Sequence, residues 1–576
     1  MSDHNSDEAS GAERARCHDP NHTPRWGMVV DVNRCVGCQT CTIACKHWNN
    51  TLPDVQWRSV IDIEEGVFPD VQRQFLVVGC QHCAEPPCVP VCPTGATRQR
   101  DDGLVTMDYD VCIGCGYCAV ACPYQARTIA HEIEGYYTDE ITRQEARVFD
   151  PARVGVAQKC TFCVDRIDSG LARGETPGVD PDATPACAAA CIAQAIRFGD
   201  FKDPASEVSG LVRDNANFQM HEQLGTDPQI KYLYTTPAVP GRDGEHDAED
   251  DERLVDPQNP LTGRLQTFWD WRAAMNWIFG GISSGALVWF WLLSLTGWLA
   301  APLHSWLNAA GGLLMAVGLF FVFLKLGRKE RFWRAVARPQ TSWMTRELFA
   351  VVVFAAAVAI GLLWHHPIIF AVVGLSALAF LICQAMILWR ARGIPAWRHR
   401  VMPAMVVASG LLEGAGFCAL ALMVTNSLGL VQASPQSPAS VLEPTLGLVA
   451  LAGVVAAAVM IVLWRTYITS AGSEGVGPLS RQVLRTIDRI LVPVGQVAPF
   501  VLFAIAYLWS GSAIANLAIV VAGMLAIAGG AYWKFMIITR AGHHQGFAMA
   551  KQPRRGSGTR AAPARMQGTT IRPSYS

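Results

Sequence analysis

The chain has 576 residues, 51% of them apolar, and a formal net charge of −1, long enough for several domains. The near-zero charge excludes a global attraction to nucleic acid or to anionic lipid, so no nucleic-acid partner is expected. The composition averages two unlike halves. Of the 19 cysteines, 16 fall between residues 35 and 191, and long apolar runs dominate from Phe268 to about Arg540.

Residues 1–24 are polar and are expected to form a disordered tail. Met1–Ser10 has no apolar h-region, so no secretory leader is expected and a secreted disulfide framework is disfavoured. Residues 25–237 carry four groups of four cysteines. Group one is Cys35, Cys38, Cys41 and Cys45; group two is Cys80, Cys83, Cys88 and Cys92. Group three is Cys112, Cys115, Cys118 and Cys122; group four is Cys160, Cys163, Cys187 and Cys191. Groups one and three have the ferredoxin spacing C-x2-C-x2-C-x3-C, group two widens one gap, and group four opens between Cys163 and Cys187. Zinc sites use paired C-x2-C units, whereas three evenly spaced cysteines plus a fourth suit a cubane. Sixteen ligands suffice for four [4Fe–4S] clusters. Cys17, Cys383 and Cys418 stand outside the groups and read as small hydrophobes or incidental thiols.

In two-cluster ferredoxins the fourth cysteine of one run ligates the other cluster. Pairing group two with three, and one with four, gives the sets Cys80/Cys83/Cys88/Cys122 and Cys112/Cys115/Cys118/Cys92. The other pair gives Cys35/Cys38/Cys41/Cys191 and Cys160/Cys163/Cys187/Cys45. All sets are complete, which implies electron transfer, because Lewis-acid catalysis needs a vacant position. Val36, Ile43, Val89, Ile113 and Val120 are expected to shield the clusters from water. Arg34, Lys46, Lys159, Arg166 and Arg197 flank ligands and individually read as solvated charge.

Residues 238–267 read as a solvated linker, with the acidic run Glu245–Glu252. Residues 268–540 form a membrane domain with eight apolar segments, at about 273–299, 307–324, 348–364, 367–388, 401–424, 445–464, 490–509 and 513–536. Lys and Arg crowd the loops after the second, fourth and sixth segments and are absent from 300–306, 425–444 and 510–512. That asymmetry predicts an inner-membrane protein with both termini, the cluster domain and a basic tail over 541–576 in the cytoplasm. His304, His365, His366, His399, His543 and His544 sit at span ends or in loops, so no haem is expected. Electrons would then pass directly between a cluster and a quinone. Trp269, Asp270, Trp271 and Arg272, with Arg346, Glu347 and the Lys534–Arg540 segment, are the quinone-site candidates. Glu413 lies mid-span in S-G-L-L-E-G-A-G-F, where an ionisable group is costly, and is the candidate for proton handling.

The stretches V-G-C-Q-T-C-T-I-A-C-K (36–46), G-C-Q-H-C-A-E-P-P-C-V-P-V-C-P (79–93), C-I-G-C-G-Y-C-A-V-A-C-P-Y (112–124) and K-C-T-F-C-V-D-R-I (159–167) resemble the iron–sulfur subunit of complex molybdoenzymes. That family includes dimethyl sulfoxide, polysulfide and tetrathionate reductases. The stretch T-P-G-V-D-P-D-A-T-P-A-C (176–187) looks like the corresponding subunit of phenylacetyl-CoA:acceptor oxidoreductase. S-W-M-T-R-E (342–347), W-D-W-R-A-A (269–274) and K-F-M-I-I-T-R-A-G-H-H-Q-G-F (534–547) resemble the DmsC/NrfD-like membrane anchor of the same enzymes. The fold expected is an α+β ferredoxin-like four-cluster domain followed by an all-α membrane domain of about eight transmembrane helices. The resemblance implies a fused electron-transfer and anchor subunit, linking a molybdopterin catalytic partner to the membrane quinone pool in anaerobic respiration. A redox module of an ion-translocating complex without molybdenum is the rival; it would call for more buried charge than Glu413. A purely structural cluster scaffold is disfavoured by the complete ligand sets.

Overall fold

The computed structural model describes residues 11–65, 72–136, 141–233, 256, 259, 261–298, 300–429 and 442–547. The acidic run Glu245–Glu252, most of segment 425–444 and the basic tail beyond residue 547 lie outside the described residues.

The cysteine-bearing half is α+β. In its main sheet, strand Trp26–Asp31 pairs in parallel with Ile230–Leu233 and antiparallel with Ile196–Asp200, and Asn217–Phe218 forms an edge. Trp26–Asp31 is buried along its whole length, as befits an apolar run with a neighbour on either side. This pairing also has a consequence for the cysteines. Cys35 follows Asp31 closely and Cys191 shortly precedes Ile196, so the sheet brings groups one and four together. Residues 11–17, expected to be disordered, are helical. Arg14 pairs with Asp180 at 2.6 Å and Glu13 is buried, contacts that offset the entropy of ordering a polar segment.

The second half is all-helical. Among the described residues eight helices are long and apolar enough to cross a membrane: Trp271–Ser294, Ala301–Lys325, Trp343–Leu363, Pro367–Arg390, Met402–Ser427, Leu442–Ser470, Pro478–Leu508 and Ala513–Thr539. The first packs on the second, fourth, fifth and eighth, and with the fifth it forms the centre of the bundle. The second begins at Ala301, earlier than expected. The seventh takes in Arg481, Arg485 and Arg489, which were expected in a loop. They ride on its first stretch, Pro478–Ile490, whose other face buries Leu484 and Ile487. The next turn, Leu491–Val497, is π-helical, and Pro493 within it has no N–H for a regular ladder.

The basic loops between spans hold the cluster domain. Arg328 N donates to Ile113 O at 3.1 Å, Arg331 Nη1 to Tyr109 O at 2.7 Å, and Gly393 N to Val120 O at 3.0 Å. In the other direction Tyr117 donates its hydroxyl to Ile387 O at 3.0 Å. The closest approach is a stack of glycines: a Cβ on Gly114 would lie 2.0 Å from Gly155 O, and one on Gly327 also 2.0 Å from it. Gly114 has φ +67° besides, so the loop carrying Cys112 and Cys115 has two reasons for glycine there. The described ends of the expected linker and tail meet, through a bridge between Leu265 and His543.

Candidate functional site

Cys80, Cys83, Cys88 and Cys122 line one cavity, with Pro86, Pro87 and Arg127. Cys92, Cys112, Cys115 and Cys118 line a second. Each set mixes groups two and three in the manner the exchange of fourth cysteines demands. For the outer groups, Cys41 interacts electrostatically with Cys35 and Cys191, and Cys45 with Cys160, Cys187 and Cys163. Cys38 is exposed at this end.

Several features fit a cluster rather than bare thiols or a single ion. Among the described residues no three His, Cys, Asp or Glu side chains converge as one ion requires; the quartets ring open volumes instead. Backbone N–H groups point at sulphur: Gly114 to Cys112 at 3.4 Å, Phe162 to Cys160 at 3.4 Å and Ala195 to Cys191 at 3.3 Å. Such donors stabilise negative charge on ligand sulphur. Burial pushes the Cys160 thiol up to about 11 and the Cys115, Cys122 and Cys163 thiols to about 12. Without metal they stay protonated, and coordination is what makes them thiolates. Arg58 is buried at 1% exposure, and its Nε and Nη1 find no nitrogen or oxygen acceptor. The strongest charges around it are Cys187, Cys160 and Cys45, so a buried cation is aimed at a site for an anionic group.

Two expectations about shielding and charge need correction. Val36 and Ile43 are 50% and 63% exposed, so they do not exclude water from the first group, whereas Ile113 and Val120 are buried. The first group lies at the domain surface, with Trp48 and Ile192 also exposed beside it. Lys159 is not solvated: it is fully buried, donating to Cys160 O at 2.7 Å and to Val105 O.

At the membrane end, the carbonyl of Cys115 accepts from Trp269 Nε1 at 3.1 Å and from Lys325 Nζ at 2.8 Å. Trp269 is buried, stacked on Trp397 at 5.5 Å and near Trp277 at 5.2 Å. The second cavity is therefore the one that abuts the bundle. Of the quinone-site candidates Trp269 reaches Cys115, but Trp271, Arg272, Arg346 and Lys534 do not gather there. Trp271 is half exposed beside Phe321, and Arg272 pairs with Asp270 at 2.8 Å. Arg346 donates to the carbonyls of Pro339 and Gln340 at 2.8 and 2.6 Å, holding its own loop. Lys534 is buried within the eighth span and meets Glu413 at 2.8 Å. Glu413 also accepts from Ser409 at 2.6 Å, and Trp533 donates to Ser409 at 2.8 Å. Room for the pair comes from glycine: a Cβ on Gly281 would lie 2.1 Å from Lys534 Nζ, and one on Gly530 2.0 Å from Glu413 Oε1.

Glu347, a candidate from the sequence, is joined by two polar side chains that the sequence reading missed, Asn276 and Gln384. Glu347 interacts with Asn276 and Gln384, and Glu347 Oε1, Asn276 Oδ1 and Gln384 Oε1 are buried acceptors without donors. Tyr117, between Cys115 and Cys118 in the chain, is within electrostatic reach of Glu347. Asn276 and Gln384 sit singly in apolar helices and give no local signal.

The profile of the 4Fe-4S dicluster domain matches residues 71–136. A selenate reductase subunit of Mesobacillus selenatarsenatis is 38% identical over 37% of this chain and 73% of its own length. A sulfite dehydrogenase subunit of Allochromatium vinosum is 39% identical over 36% of this chain and 81% of its own. A tetrathionate reductase subunit of Salmonella typhimurium is 35% identical, over 38% and 75% respectively. An arsenate respiratory reductase iron–sulfur subunit of a Shewanella species is 34% identical, over 36% of this chain and 96% of its own. The chain belongs to the family of iron–sulfur subunits of dimethyl sulfoxide reductase-type enzymes, here with an all-helical region of eight candidate membrane spans in the same polypeptide.

Proposed function

We propose that this chain relays electrons through four [4Fe–4S] clusters between a molybdopterin-containing catalytic partner and the membrane quinone pool, and that it anchors the complex in the inner membrane. The observation that carries this reading is the position of the two extreme cysteine groups. One surrounds exposed Cys38 amid exposed Val36, Ile43 and Ile192. The other is tied through Cys115 to Trp269 and Lys325 at the bundle. An apolar, water-accessible rim suits a docked partner at the first end. When bound, such clusters accept and pass single electrons; the chain's own residues set where that happens. Trp269 and Lys325 fix the loop of the membrane-proximal quartet. Glu347, Asn276 and Gln384 offer unpaired acceptors to the hydroxyl groups of a quinol. Glu413, with Lys534 and Ser409, is assigned to proton handling. The one-sided Lys and Arg distribution supports a cytoplasmic cluster domain.

The test is quinol oxidation in membranes containing the assembled complex. Wild type should bleach its clusters on adding quinol anaerobically, and Glu347→Gln should lose that reduction while keeping full iron content. Cluster reduction by quinol that is indifferent to Glu347→Gln would reject this quinone site. Co-purification with a molybdopterin-free set of ion-pump subunits would favour the rival reading. The buried Glu413–Lys534 pair gives that rival structural support, since charge buried in a bundle marks ion pathways.

A further inference from the structure

The described part of the cluster domain buries three cations next to cysteine ligands, and each one lies between two of the quartets. Arg58 interacts with Cys187, Cys160 and Cys45 of one quartet, and it also acts on Cys41 of the next. Lys159 interacts with Cys160 on one side of its junction and with Cys80 and Cys88 of the neighbouring quartet. Arg127 acts on Cys118 of the membrane-proximal quartet and on Cys88, Cys80 and Cys122 of its neighbour. All three are at most 2% exposed. Among the described residues none of the three has a carboxylate partner. Arg58 Nη2 reaches Met28 Sδ at 3.4 Å; Arg127 Nη1 reaches Thr97 Oγ1 at 3.2 Å and Met107 Sδ at 3.0 Å. Arg127 Nη2 has no nitrogen or oxygen acceptor, like Nε and Nη1 of Arg58. Lys159 donates to two backbone carbonyls.

A buried, unpaired cation is expensive unless a nearby negative group compensates it. A cubane held by four thiolates is negative and gains one more negative charge with each electron. Two neighbouring reduced clusters therefore repel through a low-dielectric interior, where charges are poorly screened. A fixed positive charge at each junction opposes that repulsion.

We propose that Arg58, Lys159 and Arg127 are electrostatic bridges that let adjacent clusters be reduced together, keeping the potentials along the chain close enough for electrons to pass in either direction. The inference rests on the four-cluster reading, and iron content separates the two. It concerns positioning of charge, since none of the three side chains is a ligand.

The experiment is a potentiometric titration followed by electron paramagnetic resonance on the anaerobically purified full-length protein. Iron and sulfide are measured first on each sample. Arg127→Met should keep the wild-type iron content and shift the two clusters beside it to lower potential. Their joint reduction should separate into two steps, with loss of the spin–spin broadening between them at intermediate potential. Arg127→Lys, which keeps the charge, should titrate as wild type. Lys159→Met should shift the next pair instead and leave the membrane-proximal cluster unmoved; it serves as the test if Arg127→Met fails to assemble. Unchanged titrations in the methionine variants at full iron content overturn the bridge. A wild-type iron content of half that expected overturns the four-cluster reading beneath it.

Discussion

Glu13 and Glu413 are two buried carboxyls in opposite settings. Burial against the domain, aided by Asp203, Glu207 and Asp200 and resisted by the nearby Ser206 hydroxyl, pushes Glu13 up from 4.5 to about 7. Its folded value is raised, so its stabilising contribution is full below 4.5 and is lost as pH rises through about 7. The protection factors of amides in residues 11–17, taken relative to intrinsic exchange at each pH, should therefore fall between pH 5 and pH 8, and Glu13→Gln should remove that fall. Equal protection at both pH values in the wild type would contradict the burial of this side chain. Glu413 instead has a cation, Lys534, at 2.8 Å. Removing one partner of a buried pair costs about 3–5 kcal/mol, more than replacing both with neutral groups. Lys534→Met should thus lower the melting temperature more than the double variant Glu413→Gln/Lys534→Met does. Glu413→Gln alone should slow quinol-linked turnover while cluster content stays normal; turnover unchanged across pH would make Glu413 structural.

At the scale of elements, the arginine-rich loops have a double use. They mark one side of the membrane in sequence, and in the structure Arg328 and Arg331 grip carbonyls of the cluster domain, Arg331 Nη1 reaching Tyr109 O at 2.7 Å. The cluster domain therefore lies on the basic side of the bundle, whichever compartment that side faces. Topology reporters at Ser576 and within 425–444 should report opposite compartments, with Ser576 cytoplasmic. Three spans separate the two positions, so both reporters on one side would reject the eight-span arrangement. The eight spans were legible because each is a long apolar run, and the bounds moved where helix continues past the apolar stretch. Pro478–Ile490 is the case in point: its arginines hid an amphipathic helix from a reading based on hydropathy.

For the whole molecule, four cubanes predict roughly 16 iron and 16 sulfide per chain, four of each per cluster. Cys115→Ser should remove one cluster and cut quinol-driven reduction of the remainder while membrane insertion persists. Reduced membranes enriched in the protein should show no b-type haem absorption from this chain; a stoichiometric haem would overturn direct transfer between cluster and quinone. What the sequence by itself determined was the grouping of cysteines, the two-part architecture and the family, because ligand spacing and apolar runs are local patterns. It also placed Cys122 with Cys80, Cys83 and Cys88, and Cys92 with Cys112, Cys115 and Cys118, the two sets that each line one cavity. Only the tertiary structure decided which quartet abuts the bundle, that Lys159 is buried rather than solvated, and that Glu413 has a partner. Glu413 and Lys534 lie 121 residues apart, and Trp269 and Cys115 lie 154 apart. No local periodicity links such residues. Glu413 and Lys534 meet because the first, fifth and eighth spans pack together, with Gly281 and Gly530 leaving the space that the two charged side chains fill.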